Sequence, residues 1–123
     1  MKDTMFRRVI ASALALALCA SASVPAFAGW EKTDDGLWHY SDNGSYMTNA
    51  WKLDGGSWFY LNENGTLALS QFVSGDDGSL YYVNADGQMV ENQWINIGGT
   101  YYYAGNGGAI LKNTTTPDGY YVD

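Results

Sequence analysis

Aromatic residues return along this chain with a period of about 21, and that constrains the fold more than any other feature. Trp30, Trp51, Phe72 and Trp94 follow one another at intervals of 21, 21 and 22 residues. A second beat is the triplet Trp38-His39-Tyr40, Trp58-Phe59-Tyr60, Leu80-Tyr81-Tyr82 and Tyr101-Tyr102-Tyr103. A third is glycine, at Gly44, Gly65, Gly87 and Gly108. Units this short cannot bury a core alone, so each must stack on its neighbours. The repeated residues are mainly Trp and Tyr rather than Leu, Ile and Val. They point to a repeating binding surface more than to an active site.

The first 28 residues read differently. Lys2, Arg7 and Arg8 give a basic start, Val9 to Ala20 is an apolar Ala/Leu run, and Ala26-Phe27-Ala28 precedes Gly29. These are the three parts of a helical secretory signal peptide spanning residues 1–28, cleaved before Gly29. The apolar run is shorter than the roughly 18 residues a membrane span requires, so no stable membrane insertion is expected after cleavage. Leu18 before Cys19 stands where a lipoprotein signal needs a small residue.

Without that segment the chain has no cysteine, in keeping with an exported protein that uses no disulfide. Three lysines (Lys32, Lys52, Lys112) then face twelve acids, Asp3 being the one acid lost, for a net charge of −9. Nucleic acid and anionic membrane surfaces call for a basic face, so neither is an expected partner. A cationic or neutral ligand suits the balance, and so does plain solubility.

Residues 29–123 divide into units 29–49, 50–70, 71–92 and 93–113 with a closing stub 114–123. In each, a short aromatic strand, a turn and a second strand follow one another, as in Trp51-Lys52-Leu53, Asp54-Gly55-Gly56 and Ser57-Trp58-Phe59-Tyr60-Leu61. Asp-Gly and Gly-Gly between aromatic strands are hairpin signals, because such turns need residues that tolerate positive φ. No 3.6-residue apolar period appears in this part, which predicts an all-β array of hairpins with almost no helix. The first-strand aromatic precedes the last triplet residue by ten positions in odd units and nine in even ones. Two turn lengths are therefore expected, the longer closed by a Gly bulge. The Asp-Asp pairs in the longer turns lack an EF-hand or nonapeptide calcium spacing, and no metal or cofactor is expected. Two residues past each repeated glycine stand Tyr46, Leu67, Met89 and Ile110, expected to plug the space between successive hairpins.

Alternate strand residues share a face. The first and third triplet residues, with the facing first-strand aromatic, would form two or three walls of a cleft that the next hairpin completes. Such a cage holds a quaternary ammonium group by cation–π attraction, at roughly 0.5–2 kcal/mol per ring. The same rings can stack on sugars, or serve purely as core. The middle residues His39, Phe59, Tyr81 and Tyr102 are expected in packing or in solvent.

The stretch from Ala50 to Gly65, AWKLDGGSWFYLNENG, resembles the cell-wall-binding, or choline-binding, repeats of secreted Gram-positive proteins, close relatives of the glucan-binding repeats. The resemblance covers residues 29–123, and its closing unit is similar to Thr116 through Asp123. It implies a β-hairpin solenoid, a left-handed superhelix of short hairpins with clefts between neighbours, and choline on teichoic acids as ligand. Carried over by position, the cages would be Trp30 and Trp38 with Tyr60, Trp51 and Trp58 with Tyr82, and Trp94 and Tyr101 with Tyr121. Unit three departs from the pattern, with Phe72 for Trp and Leu80 for the first triplet aromatic, so its cleft should be weak or empty.

The expected protein is a secreted, cell-wall-associated, non-catalytic module that binds choline or glycan on teichoic acid or peptidoglycan. A glucan-binding protein and a ligand-free spacer are the alternatives, and a homodimer is left open. An enzyme is disfavoured. The one histidine, His39, lies in a strand triplet with no Ser-His-Asp arrangement around it, and the acids stand mostly in turns, where Asp serves the backbone.

Overall fold

The computed structural model describes residues 29–123; the expected signal peptide lies outside them. All elements among the described residues are strands. They are β1 (Gly29–Lys32), β2 (Trp38–Asp42), β3 (Ser45–Tyr46), β4 (Ala50–Asp54), β5 (Ser57–Leu61), β6 (Gln71–Ser74), β7 (Leu80–Val83), β8 (Gln93–Ile97), β9 (Thr100–Ala104), β10 (Thr114–Thr115) and β11 (Tyr121–Val122). They pair as five separate antiparallel sheets, β1-β2-β3, β4-β5, β6-β7, β8-β9 and β10-β11.

The two turn lengths are present. Gly55-Gly56 and Gly98-Gly99 close β4-β5 and β8-β9 with φ values of 60° and 86°, and 60° and 91°. Left-handed φ at both central residues is the type I′ geometry that suits strand twist. The other turns run from Thr33 to Leu37 and from Gly75 to Ser79. The amide of Gly36 donates to Thr33 O (2.9 Å), that of Gly78 to Gly75 O (3.1 Å), and both glycines are left-handed. These are the Gly-closed bulge turns. Asp35 and Asp77 stabilise them by accepting the amides of Leu37 and Ser79, which gives the acids a backbone role.

Turn length dictates which rings meet within a hairpin. Trp30 is the cross-strand partner of Tyr40, Trp51 of Tyr60, Phe72 of Tyr82 and Trp94 of Tyr103. Each pair packs edge to face with centroids 5.0–5.1 Å apart. The opposite contact joins neighbouring hairpins. Trp30 meets Phe59 (5.3 Å), Trp51 meets Tyr81 (5.7 Å), Phe72 meets Tyr102 (5.1 Å) and Trp94 meets Tyr120 (5.9 Å). The face carrying the first-strand aromatic thus lies against the next hairpin's middle triplet residue. Lys52 obeys the same rule, its Nζ standing 4.7 Å from the Tyr40 ring centroid.

The connectors hold this arrangement. Leu67, Met89 and Ile110 bridge to Leu61, Val83 and Ala104, the last residues of β5, β7 and β9. Their amides donate to the carbonyls of Trp38, Trp58 and Leu80 in the preceding hairpin, each at 2.8 Å. As expected of a plug, the connector side chains press on the next repeated glycine. A Cβ on Gly87 would lie 3.0 Å from Leu67, and one on Gly108 would lie 2.7 Å from Met89. Between repeats the chain turns through left-handed Asn49, Ser70, Asn92 and Asn113, a conformation that Asn accepts more readily than other L residues.

The core is distributed between hairpins. One cluster gathers Ala68, Val73 and Val83 with Trp51, Tyr60 and Met89; another gathers Val90, Ile95, Ala104 and Ile110 with Phe72, Leu80, Tyr82 and Tyr102. The last residues of the second strands, Leu61, Val83 and Ala104, are fully enclosed. In the first hairpin the same position is Ser41, buried beside His39, whose ring stacks on Tyr46 at 4.2 Å.

Candidate functional site

An aromatic concavity lies at the junction of β8-β9 with β10-β11. It is an open concavity of about 910 Å³, lined by Leu80, Trp94, Tyr101, Tyr120, Tyr121 and Asp118, together with the neighbouring connector and strand residues. Trp94 stands nearly perpendicular to Tyr101, centroids 6.5 Å apart and planes at 85°, and to Tyr103 and Tyr120 at 5.1 and 5.9 Å. Tyr101 and Tyr121 are 62% and 66% exposed, so their rings border the concavity without being committed to the core. Asp123 and Lys112 complete its charged lining beside Asp118.

Trp94 is held in place. Its indole Nε1–H donates to Asp118 Oδ2 at 2.9 Å, and the other oxygen of Asp118 accepts the Thr116 hydroxyl. These two bonds, that of Thr116 first, keep the Asp118 carboxyl below its ordinary pKa. Asp35 is lowered chiefly by the Thr33 hydroxyl and Asp77 chiefly by the Ser79 amide. A carboxylate depressed in the folded chain contributes stability above the unfolded value of about 3.9. That contribution is lost as pH falls through the lower folded values. The melting temperature is therefore expected to be insensitive to these groups from pH 5 to 8 and to fall below about pH 4. In Asp35→Asn, Asp77→Asn and Asp118→Asn proteins this acid limb should be shallower; identical acid limbs would show that the bonds do not persist in solution.

Of the three expected triads, the structure gathers one around a single concavity, that of Trp94, Tyr101 and Tyr121. In their junction ring contacts all three differ from expectation, Trp94 meeting Tyr120 rather than Tyr121. Trp30 meets Tyr40 and Phe59, and among the described residues neither Trp38 nor Tyr60 is at ring-contact distance from it. Trp51 meets Tyr60 and Tyr81, while Tyr82 packs on Phe72. The cause is register: each third triplet residue is the cross-strand partner of the aromatic in its own hairpin, so the next hairpin's middle residue makes the contact across the junction. Phe59, Tyr81 and Tyr102, placed by sequence in packing or solvent, are in packing. Trp38 and Trp58 remain 38% and 40% exposed on the same hairpin faces as Trp30 and Trp51. The Nζ of Lys32 stands 6.0 Å from the Trp38 centroid.

Sequence reasoning missed Leu80 as a wall of the terminal cleft. Leu80 belongs to unit three, yet the bond from the Ile110 amide to its carbonyl brings it to the end of unit four. It also missed Asp118. A signal existed, because the indole of Trp30 donates to Asp54 at 2.7 Å across the same separation of 24 residues.

Hairpins built on a first-strand aromatic, an aromatic triplet and a glycine-closed connector define a class of aromatic-repeat proteins, and the comparisons place the chain within it. Residues 88–123 match the choline-binding repeat family, and residues 49–67 and 70–89 match the cell wall binding repeat. The chain belongs to the choline-binding repeat family. Among solved structures, choline binding protein F from Streptococcus pneumoniae is 37% identical over 76% of this chain and 30% of that one, with a TM-score of 0.62. CbpJ from Streptococcus pneumoniae TIGR4 is 31% identical over 76% and 34%, with a TM-score of 0.61. The modular Cpl-1 endolysin, solved with a peptidoglycan analogue, is 26% identical over 78% and 28%, with a TM-score of 0.59. The chain thus spans about a third or less of the length of these proteins. No curated protein sequence matches it.

Proposed function

We propose that residues 29–123 form a non-catalytic module that attaches a secreted protein to choline-bearing cell-wall polymers through aromatic clefts between hairpins. The observation that carries this reading is the terminal concavity, where Trp94, Tyr101 and Tyr121 border about 910 Å³ beside the carboxylates of Asp118 and Asp123. Ring faces attract a cation that has no N–H to donate, and a carboxylate beside them adds to that attraction. Support also comes from the family, and from choline binding protein F and the Cpl-1 endolysin, both solved with a peptidoglycan analogue.

The reading has further parts. Residues 1–28 direct export and are removed. The units 29–49, 50–70, 71–92 and 93–113 with stub 114–123 stack as a left-handed solenoid, in line with the recurring junction contacts. Clefts formed by Trp30 and Trp38, and by Trp51 and Trp58, add weaker sites. The expected experimental result is retention of residues 29–123 on choline-derivatised resin, release by free choline, and passage through dextran resin. Retention on dextran alone would replace choline by a glucan ligand. Retention on neither would leave a spacer.

A further inference from the structure

Only some first-strand aromatics are tethered to a carboxylate. Trp30 donates its indole N–H to Asp54, and Trp94 donates to Asp118, in both cases 24 residues on. The same step from Trp51 reaches Gly75, and from Phe72 it reaches Asn96. Gly75 has no side chain, Phe72 has no N–H, and Asn96 instead accepts the amide of Gly99. The junctions therefore divide into two with an indole–carboxylate tether and two without.

We propose that Asp118, beyond fixing the Trp94 ring, is the specificity determinant that makes the terminal cleft prefer a cationic ligand over a neutral one of the same shape. This inference rests on the binding proposed above. The geometry gives Asp118 both parts. One carboxylate oxygen accepts the indole, the other accepts the Thr116 hydroxyl, and the side chain lines the cleft beside Trp94, Tyr101 and Tyr121. Both bonds are to neutral donors, so the negative charge is positioned and not neutralised by them. Lys112 also lines the cleft; with Asp118 and Asp123 present, the lining still carries an excess of one negative charge. An exposed charge acts weakly through water, so the carboxylate adds selectivity to the rings' affinity.

Asp118→Asn keeps an oxygen that can accept the indole N–H and removes the charge. The test titrates the ¹⁵N-labelled protein, following the Trp94 indole N–H resonance, assigned with Trp94→Phe. The ligands are choline and its neutral isostere 3,3-dimethylbutan-1-ol. In the unmodified protein, choline should bind more tightly than the isostere, and the margin should shrink as salt is raised, because exposed charges are screened. In Asp118→Asn the choline affinity should fall roughly two- to five-fold, with the isostere unchanged. Asp118→Ala, which also frees the indole, should weaken both ligands. Equal weakening of both ligands in Asp118→Asn, or no change in either, overturns the specificity role while leaving choline binding in place. If Asp118→Asn does not fold, a choline-to-isostere margin that ignores salt in the unmodified protein overturns it as well. A Trp94 resonance indifferent to choline in the unmodified protein overturns both this role and choline binding at the terminal cleft.

Discussion

Leu61→Ala is expected to destabilise the protein by about 2–5 kcal/mol, the range for emptying a well-packed leucine site. Leu61 is fully enclosed. It ends β5 as the partner of Ala50, and its bridge to Leu67 starts the connector to the third hairpin. The cavity left behind therefore sits at a joint, and the amide that bonds Trp38 O belongs to the same Leu67. Stability in a stacked array is a sum of unit and interface terms, so loosening this joint should propagate to both neighbouring hairpins. Whole proteins of this size are stable by about 5–15 kcal/mol, which makes the loss a large fraction of the total. Urea unfolding followed by tryptophan fluorescence is the check: one shifted transition is expected. A loss below about 1 kcal/mol, or separate melting of the two ends, would show that the hairpins do not depend on this joint.

Trp94→Ala is expected to lower choline affinity at the terminal cleft by roughly ten-fold, the loss of one good cation–π wall. The substitution removes the ring that stands against Tyr101, Tyr103 and Tyr120, and it frees Asp118 from its indole partner. It also costs packing, so stability alone would be a poor readout. Phe72→Ala supplies the contrast, since Phe72 packs on Tyr82 and Tyr102 and does not line this cleft. Calorimetric titration should show strongly weakened binding in the first protein and a smaller change in the second. Equal losses would mean that the tryptophan acts only through the fold.

Local chemistry wrote most of this fold into the sequence. The spacing of nine or ten residues between Trp51 and Tyr60, or Trp30 and Tyr40, already encoded two turn lengths, and the Gly-Gly and Asp-Gly pairs encoded their types. The plug positions were legible too, because Leu67 and Met89 are apolar two residues past a repeated glycine; the structure adds that each presses on the next such glycine, Gly87 and Gly108. Which rings meet across a junction was less accessible. Strand alternation says that Trp58 and Tyr60 share a face, but not whether Phe59 or Tyr60 looks toward Trp30. That depends on how one hairpin is set on the next, which the connector hydrogen bonds decide. Leu80 shows the same limit: the sequence reads a leucine in place of an aromatic only as a weakness in its own unit's cleft, and the structure adds that it packs on the core and lines the next one. The Asp118 tether is legible only when 24-residue separations are compared across units.

The measurement that bears most directly on the proposed binding is the melting temperature of residues 29–123 against choline concentration. A ligand that binds only the folded chain stabilises it by RT ln(1 + [L]/Kd) at each site. The melting temperature should therefore rise steadily once choline exceeds its dissociation constant. A melting temperature unmoved through millimolar choline, with the chain folded, would contradict choline binding by these hairpins.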